Sequence, residues 1–232
     1  MVKNMKRNRF MLGIGFVCTV IISSICFSHI TSISANRSVR ILDGVTIVLD
    51  PGHGGNDGGA KSIDVKEKDI NLKITEKLKD LLEKNGASVV MTREGDYDLA
   101  DDSAGSRKKA DMKKRVELIN EEKTDLFLSI HLNAYPNPSV KGAQAFYAVE
   151  NEISKVFANI VQNHLKGLTD TRMTSKPGDY YILKNTEKIG VLVECGFLSN
   201  AEDKANLIED NYQQKLAQTL YDSIVEYFQF LS

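Results

Sequence analysis

Tryptophan is absent from this chain of 232 residues, and proline (four), histidine (four) and cysteine (three) are scarce. Cys18 and Cys26 fall in an N-terminal apolar stretch without a small-residue lipobox before either, which leaves Cys195 as the only thiol of the remainder. One thiol excludes an internal disulfide framework and a cysteine-rich metal site, so the fold must stand on its own core. Excess charge of one sign is also missing: 30 basic side chains face 31 acidic ones, for a net charge of −1. No overall field favours nucleic acid or another polyanion, and nucleic acid is not an expected partner. Internal repeats and an appended second module are absent as well. The length fits one catalytic domain over residues 41–232 once residues 1–36 are set aside.

Those first 36 residues have their own pattern. Lys3, Lys6, Arg7 and Arg9 precede an apolar run over residues 10–30, which reads as a signal peptide or an N-terminal membrane anchor. Ser32, Ser34 and Ala35 suit cleavage, yet the run is also nearly long enough for a bilayer core of about 30 Å, and both readings stand. In either case the basic residues stay inside and the remainder is sent outward, so the domain is expected to work outside the cytoplasm.

The remainder alternates in period. Residues 41–50 read as a buried strand ending at a Pro-Gly turn, residues 70–84 as a helix capped by Asp69 and stopped by Asn85-Gly86, and residues 87–92 as a second strand. A polar loop follows over 94–106, then a helix over 107–122 and strands over 125–130 and 141–149. A helix through Ile153 and Leu168, a short strand at 180–183, a buried strand at 190–195 and a helix over 212–228 complete the pattern. This predicts an α/β domain with a mixed, mostly parallel sheet and helices on both faces.

Two histidines stand directly after predicted strands. His53 lies in Asp50-Pro51-Gly52-His53-Gly54-Gly55, where glycine leaves its ring accessible, and His131 lies in Ser129-Ile130-His131-Leu132-Asn133-Ala134. Ligands collect beyond the carboxyl ends of strands in open α/β sheets, so two such imidazoles can converge on one metal ion. Taken alone, His53 also reads as an incidental turn residue. His164, on a predicted helix, reads as a packed or surface side chain.

Two imidazoles and a carboxylate with a fourth position open form a catalytic zinc arrangement. Glu67 at the start of the first helix is the chosen carboxylate, with Asp57 and Asp64 as competitors and a surface role favoured by the helix dipole as the alternative. Glu194 closes the apolar run Gly190-Val191-Leu192-Val193-Glu194. An acid at the end of a buried strand must be paired, open to a cleft, or used, which makes it the general-base candidate and leaves a structural salt bridge as the other reading. Arg115 is placed as a candidate for binding a substrate carboxylate.

Four segments in order, DPGHGG with Asp57 and Gly59-Ala60, EKDINL at 67–72, SIHLNA at 129–134 and VECGFLSN at 193–200, resemble the motifs of the zinc-dependent N-acetylmuramoyl-L-alanine amidases of the third amidase type. The likeness covers about residues 45–228. It implies a six-stranded sheet flanked by helices, zinc on His53, Glu67 and His131, Glu194 as the catalytic glutamate, and the amide between muramic lactyl and L-alanine in peptidoglycan as the target. Leu132 and Cys195 depart from the family pattern, where a small residue and threonine are common. Neither departure removes a ligand. With no wall-binding repeat and no inserted regulatory helix, the chain most resembles the sporulation type, which implies a role in spore cortex maturation and a place in the forespore intermembrane space. A vegetative wall amidase, a zinc peptidase and a catalytically silent wall-binding scaffold are the rival readings. With only three protein ligands for zinc, an accessory protein that assists metal binding is a further expectation.

Overall fold

Alternation along the strands decides how the layers form. The computed structural model describes residues 40–60, 64–101, 104–121 and 123–232. β1 (Thr46–Pro51), β2 (Ser88–Met91), β3 (Leu126–Asn133), β4 (Gln144–Tyr147), β5 (Lys176–Pro177) and β6 (Gly190–Phe197) form one sheet in the order β2-β1-β3-β6-β4-β5. β2, β1, β3 and β6 run parallel, and β4 pairs antiparallel with β6 while β5 runs parallel to β4. The mixed, mostly parallel six-stranded sheet is therefore as expected. No helix among the described residues is long and apolar enough to cross a membrane; the signal or anchor segment expected at residues 1–36 lies outside the described residues.

Successive strand residues face opposite ways. Ile47 and Leu49 of β1, Leu126, Leu128, Ile130 and Leu132 of β3, and Val191, Val193 and Cys195 of β6 enter the larger core. There they meet α1 (Glu67–Lys84), α3 (Glu152–Thr169) and α6 (Asp210–Leu231). Full burial of each such aliphatic side chain contributes about 1.5–3 kcal/mol, which makes this face the main source of stability. The intervening residues Val48, Phe127 and Leu192 form a smaller core with Val116 and Ile119 of α2 (Arg107–Ile119) and Ile182 and Leu183 of α4 (Tyr181–Asn185). Short helices cover this second face incompletely. Toward the strand ends its apolar positions give way to Asp50, Ser129, His131 and Glu194.

Two local expectations are corrected, and one helix was not foreseen. Residues 180–183 are not a strand, since α4 spans Tyr181–Asn185; a single turn that buries two adjacent residues, Ile182 and Leu183, carries no readable period. The sheet edge is instead the two-residue β5, where Pro177 is tolerated because an edge strand needs no second ladder. Asp69 does not cap α1: the helix begins at Glu67 with Lys66 at the cap position and no side-chain cap bond, and Asp69 lies in the first turn. The short α5 (Ala201–Leu207), unforeseen, is capped by Asn200, whose side chain accepts from the amides of Glu202 and Asp203.

Candidate metal centre

β1 and β3 are paired through Asp50↔Ser129 and Pro51↔Ile130, so the chain that leaves β1 at Pro51 passes beside His131, which is still within β3. The chain after Pro51 stays tied to β3 by Gly52 N donating to Ile130 O at 2.9 Å. His53 then turns back with φ +64°, a left-handed conformation that costs a residue with a side chain about 1–3 kcal/mol. Two buried guanidinium groups hold this turn through its carbonyl oxygens. Arg93 donates to Pro51 O and Gly52 O, each at 2.9 Å. Arg115 donates to Pro51 O at 2.9 Å and His53 O at 2.6 Å.

The result is a convergence of three side chains. One donor atom each from His53, Glu67 and His131 lies within 4.8 Å of the others. His53 Nε2 stands 3.2 Å and His131 Nδ1 3.1 Å from the same Oε1 of Glu67. That oxygen also accepts from Leu132 N at 2.9 Å and Asn71 Nδ2 at 3.2 Å, while Oε2 accepts from Ala60 N at 2.6 Å. Two imidazoles and a carboxylate turned toward one point fit a divalent cation, and the nitrogen-rich donor set matches zinc better than magnesium or calcium. Behind the triad, His53 Nδ1 meets Asp57 Oδ2 at 3.1 Å, an arrangement that fixes the ring and its tautomer. Burial raises the Glu67 pKa, but hydrogen bonds from the two imidazoles outweigh it and hold the carboxyl well below the usual range. Burial opposes protonation of His53, and Glu67 and Asp57 together overcome it and raise that pKa.

Glu194 is the residue opposite His131 in the β3–β6 register. It is 6% exposed. Its Oε1 accepts from Tyr180 OH at 3.3 Å, and its Oε2 has no hydrogen-bond partner among the described residues. Burial, opposed by His131, pushes its pKa above the ordinary glutamate value. A buried carboxylate with one unengaged oxygen beside two imidazoles can accept a proton and release it again. The salt bridge that was the alternative reading is not seen among the described residues.

The other sequence candidates fall away from the triad in distinct ways. Arg115 borders the cleft but is buried, with Nε on Asp111 at 2.9 Å and Nη1 on Asp50 at 2.7 Å besides its two carbonyl contacts. These bonds make Arg115 a brace for the turn that carries His53. Asp57 backs His53, and Asp64 pairs with Lys204 at 3.6 Å. His164 pairs with Glu226 at 2.7 Å on the surface. Cys195 is buried on the opposite face of β6, where burial pushes its thiol pKa up and makes it unreactive. Leu132 places its side chain in the larger core and offers the site only its amide, so the departure there is harmless.

Sequence reading missed Asp50, Asn71, Tyr180 and the steric role of two glycines. Asp50 carried a signal, because like Glu194 it is an acid closing a β-branched run. Tyr180 carried none. A Cβ on Gly52 would lie 2.2 Å from the His131 ring, and one on Gly59 would lie 2.4 Å from Glu67 Oε2 at a φ of +75°. Gly52→Ala is therefore expected to push His131 off its position and weaken metal affinity about 10–100-fold, the range for losing a supporting contact, as measured by competition with a chromophoric chelator. Affinity equal to the parent would show that His131 is not a ligand.

A cleft of about 200 Å³ lies over this centre, between α2 and α4. Comparison with known proteins gives the arrangement its context. The profile of the N-acetylmuramoyl-L-alanine amidase family matches residues 47–226. The germination-specific N-acetylmuramoyl-L-alanine amidase of Bacillus subtilis (strain 168) is 41% identical over 192 residues, 81% of either chain. The probable cell wall amidase LytH of Staphylococcus aureus is 34% identical and aligns with 81% of this chain and 60% of its own length. The CwlD amidase from Clostridioides difficile, solved in complex with the GerS lipoprotein, superposes with a TM-score of 0.77 at 38% identity over 80% of this chain and 99% of that one. With the match running from β1 to the last helix, this chain belongs to the N-acetylmuramoyl-L-alanine amidase family and is an amidase of peptidoglycan.

Proposed function

We propose that this amidase is zinc-dependent, that His53, Glu67 and His131 hold the ion, and that Glu194 is the general base and then the general acid. The observation that supports it is Glu194 itself, buried opposite His131 in the sheet with one oxygen unengaged. When bound, zinc supplies Lewis acidity that polarises an amide carbonyl and lowers the pKa of water to about 7. Glu194 takes the proton of the attacking water and returns it to the nitrogen of L-alanine as the bond to the lactyl carbonyl breaks. Tyr180 holds Oε1 of Glu194, which leaves Oε2 free for this transfer. Leu192 and Ile182, which also line the cleft, exclude bulk water and strengthen these polar contacts.

The role we propose is in spore cortex maturation, supported by the relative named as germination-specific and by the likeness to the CwlD amidase. The basic and apolar N-terminal residues support action outside the cytoplasm, secreted or anchored at the outer membrane face, with the forespore intermembrane space as the site. The solved complex of the CwlD amidase with a lipoprotein supports an accessory protein for this chain too, one that assists zinc retention. LytH supports vegetative wall cleavage as the second reading.

Mass spectrometry of purified cortex and vegetative peptidoglycan digested by the mature enzyme tests both levels. Expected products are peptides with free L-alanine amino termini and glycan with intact lactyl groups, formed faster from cortex precursor wall. They should vanish with chelator and return with zinc. Cleavage within the peptide, or chelator resistance, sinks the zinc amidase mechanism, and a preference for vegetative wall sinks the cortex role.

A further inference from the structure

The cleft over the metal centre has two chemically unlike walls. On one side, Lys108, Asp111, Met112 and Arg115 line it at helical spacing from a single face of α2. On the other, Tyr181 and Ile182 line it from α4. Asp111 and Arg115 are bonded to each other at 2.9 Å and Arg115 also to Asp50, so the charge this wall offers a ligand is that of Lys108. Lys108 Nζ stands 3.5 Å from Asp57 Oδ2 with its side chain 76% exposed. Asp57 is already engaged by His53 Nδ1 and by the amide of Gly59, each at 3.1 Å. An exposed pair of that separation is weak, so Lys108 can exchange Asp57 for a ligand carboxylate at little cost.

Beside the cleft, and sharing Asp57, Lys108 and Asp111 with it, is a second hollow of about 330 Å³ bordered also by Asn56, Asp98 and Arg107. Both signs of charge line it, but Asp98 and Arg107 are paired with each other at 2.6 Å, so the cation open to a ligand on this side is again Lys108. The opposite wall has neither charge. Its exposed aromatic Tyr181 suits the apolar face of a sugar ring.

Building on the reaction centre proposed above, we propose that substrate lies across the cleft in one sense only. The glycan strand rests against Tyr181 on α4, and the stem peptide runs over α2, where Lys108 binds the free carboxylate of the acidic residue that follows L-alanine. Lys108 is thus a specificity-determining residue for the peptide, and Tyr181 for the glycan.

The test uses zinc-loaded enzyme and two synthetic muropeptides that differ only in whether that carboxylate is free or amidated. The parent should favour the free form about 3–20-fold in kcat/KM, through KM and less so as salt rises. Lys108→Ala should lose this preference by slowing on the free form alone, and Lys108→Arg should keep it. A structural role would slow both substrates together. Tyr181→Ala should remove whatever the parent gains from a tetrasaccharide over a single muramoyl unit and leave the carboxylate preference in place. No preference in the parent, a preference that survives Lys108→Ala, or a glycan gain that survives Tyr181→Ala overturns the assignment. Parent-like turnover by Glu194→Gln on the same substrates would instead overturn the reaction centre on which it rests.

Discussion

Glu194→Gln is expected to lower kcat by about 10²–10⁴-fold while zinc content stays at the parent level. The amide keeps the shape of the carboxylate and can still bond Tyr180, but it cannot take a proton. The same change should leave the melting temperature equal or higher. Burial raises the Glu194 pKa in the folded state, so its contribution to stability is present below the ordinary glutamate value of 4.5 and is lost as pH rises through the higher folded value. In the metal-free protein at neutral pH the ionised group is therefore a net liability to folding, and a neutral isostere relieves it. Steady-state kinetics, metal analysis and thermal unfolding on one preparation check the three parts. Loss of activity together with zinc, or a kcat within tenfold of the parent, would falsify the assignment of Glu194 as base.

Asp50→Asn should have the opposite signature, a loss of about 3–5 kcal/mol of stability, the range for breaking a buried ion pair by removing one partner. Asp50 is fully enclosed: Oδ1 accepts from Arg115 Nη1 and Thr92 Oγ1, each at 2.7 Å, and Oδ2 from Ser129 Oγ at 2.6 Å. Burial alone would raise its pKa, but Arg115 and the two hydroxyls outweigh it and lower it from 3.8. A depressed folded value means that its stabilisation is complete above the unfolded value and is lost as pH falls through the folded one. Denaturant unfolding at neutral pH should show the deficit of the variant, and the deficit should shrink as pH falls below about 3.8. Because Arg115 also holds the carbonyls of Pro51 and His53, metal affinity should weaken along with stability. A variant as stable as the parent at neutral pH would show that Arg115 is satisfied without Asp50.

The two predictions differ because one acid has an unengaged oxygen and the other is paired, although the sequence presents both in the same way. Asp50 and Glu194 each close a β-branched run, and nothing local separates them. The sequence by itself determined the alternating α/β pattern, because apolar spacing with periods of two and 3.6 follows from strand and helix geometry. It also singled out His53 and His131, because glycine-rich or polar residues near the carboxyl end of a strand leave a side chain at the ligand-collecting edge, although His131 lies within β3 and not after it. Four ordered motifs carried the family. Tertiary structure alone decided which acid meets Arg115 and which is left with an unengaged oxygen, since that depends on partners 65 residues away for Asp50 and 14 for Glu194. It also showed Arg115 bracing the His53 turn, because a helix residue read in isolation gives no account of the carbonyls across from it. Tyr180 joined Glu194, and Gly52 came to make room for the ring of His131, for the same physical reason. Periodicity reports which face a residue occupies, whereas the identity of its neighbour on that face is fixed only when the sheet register and helix packing are in place.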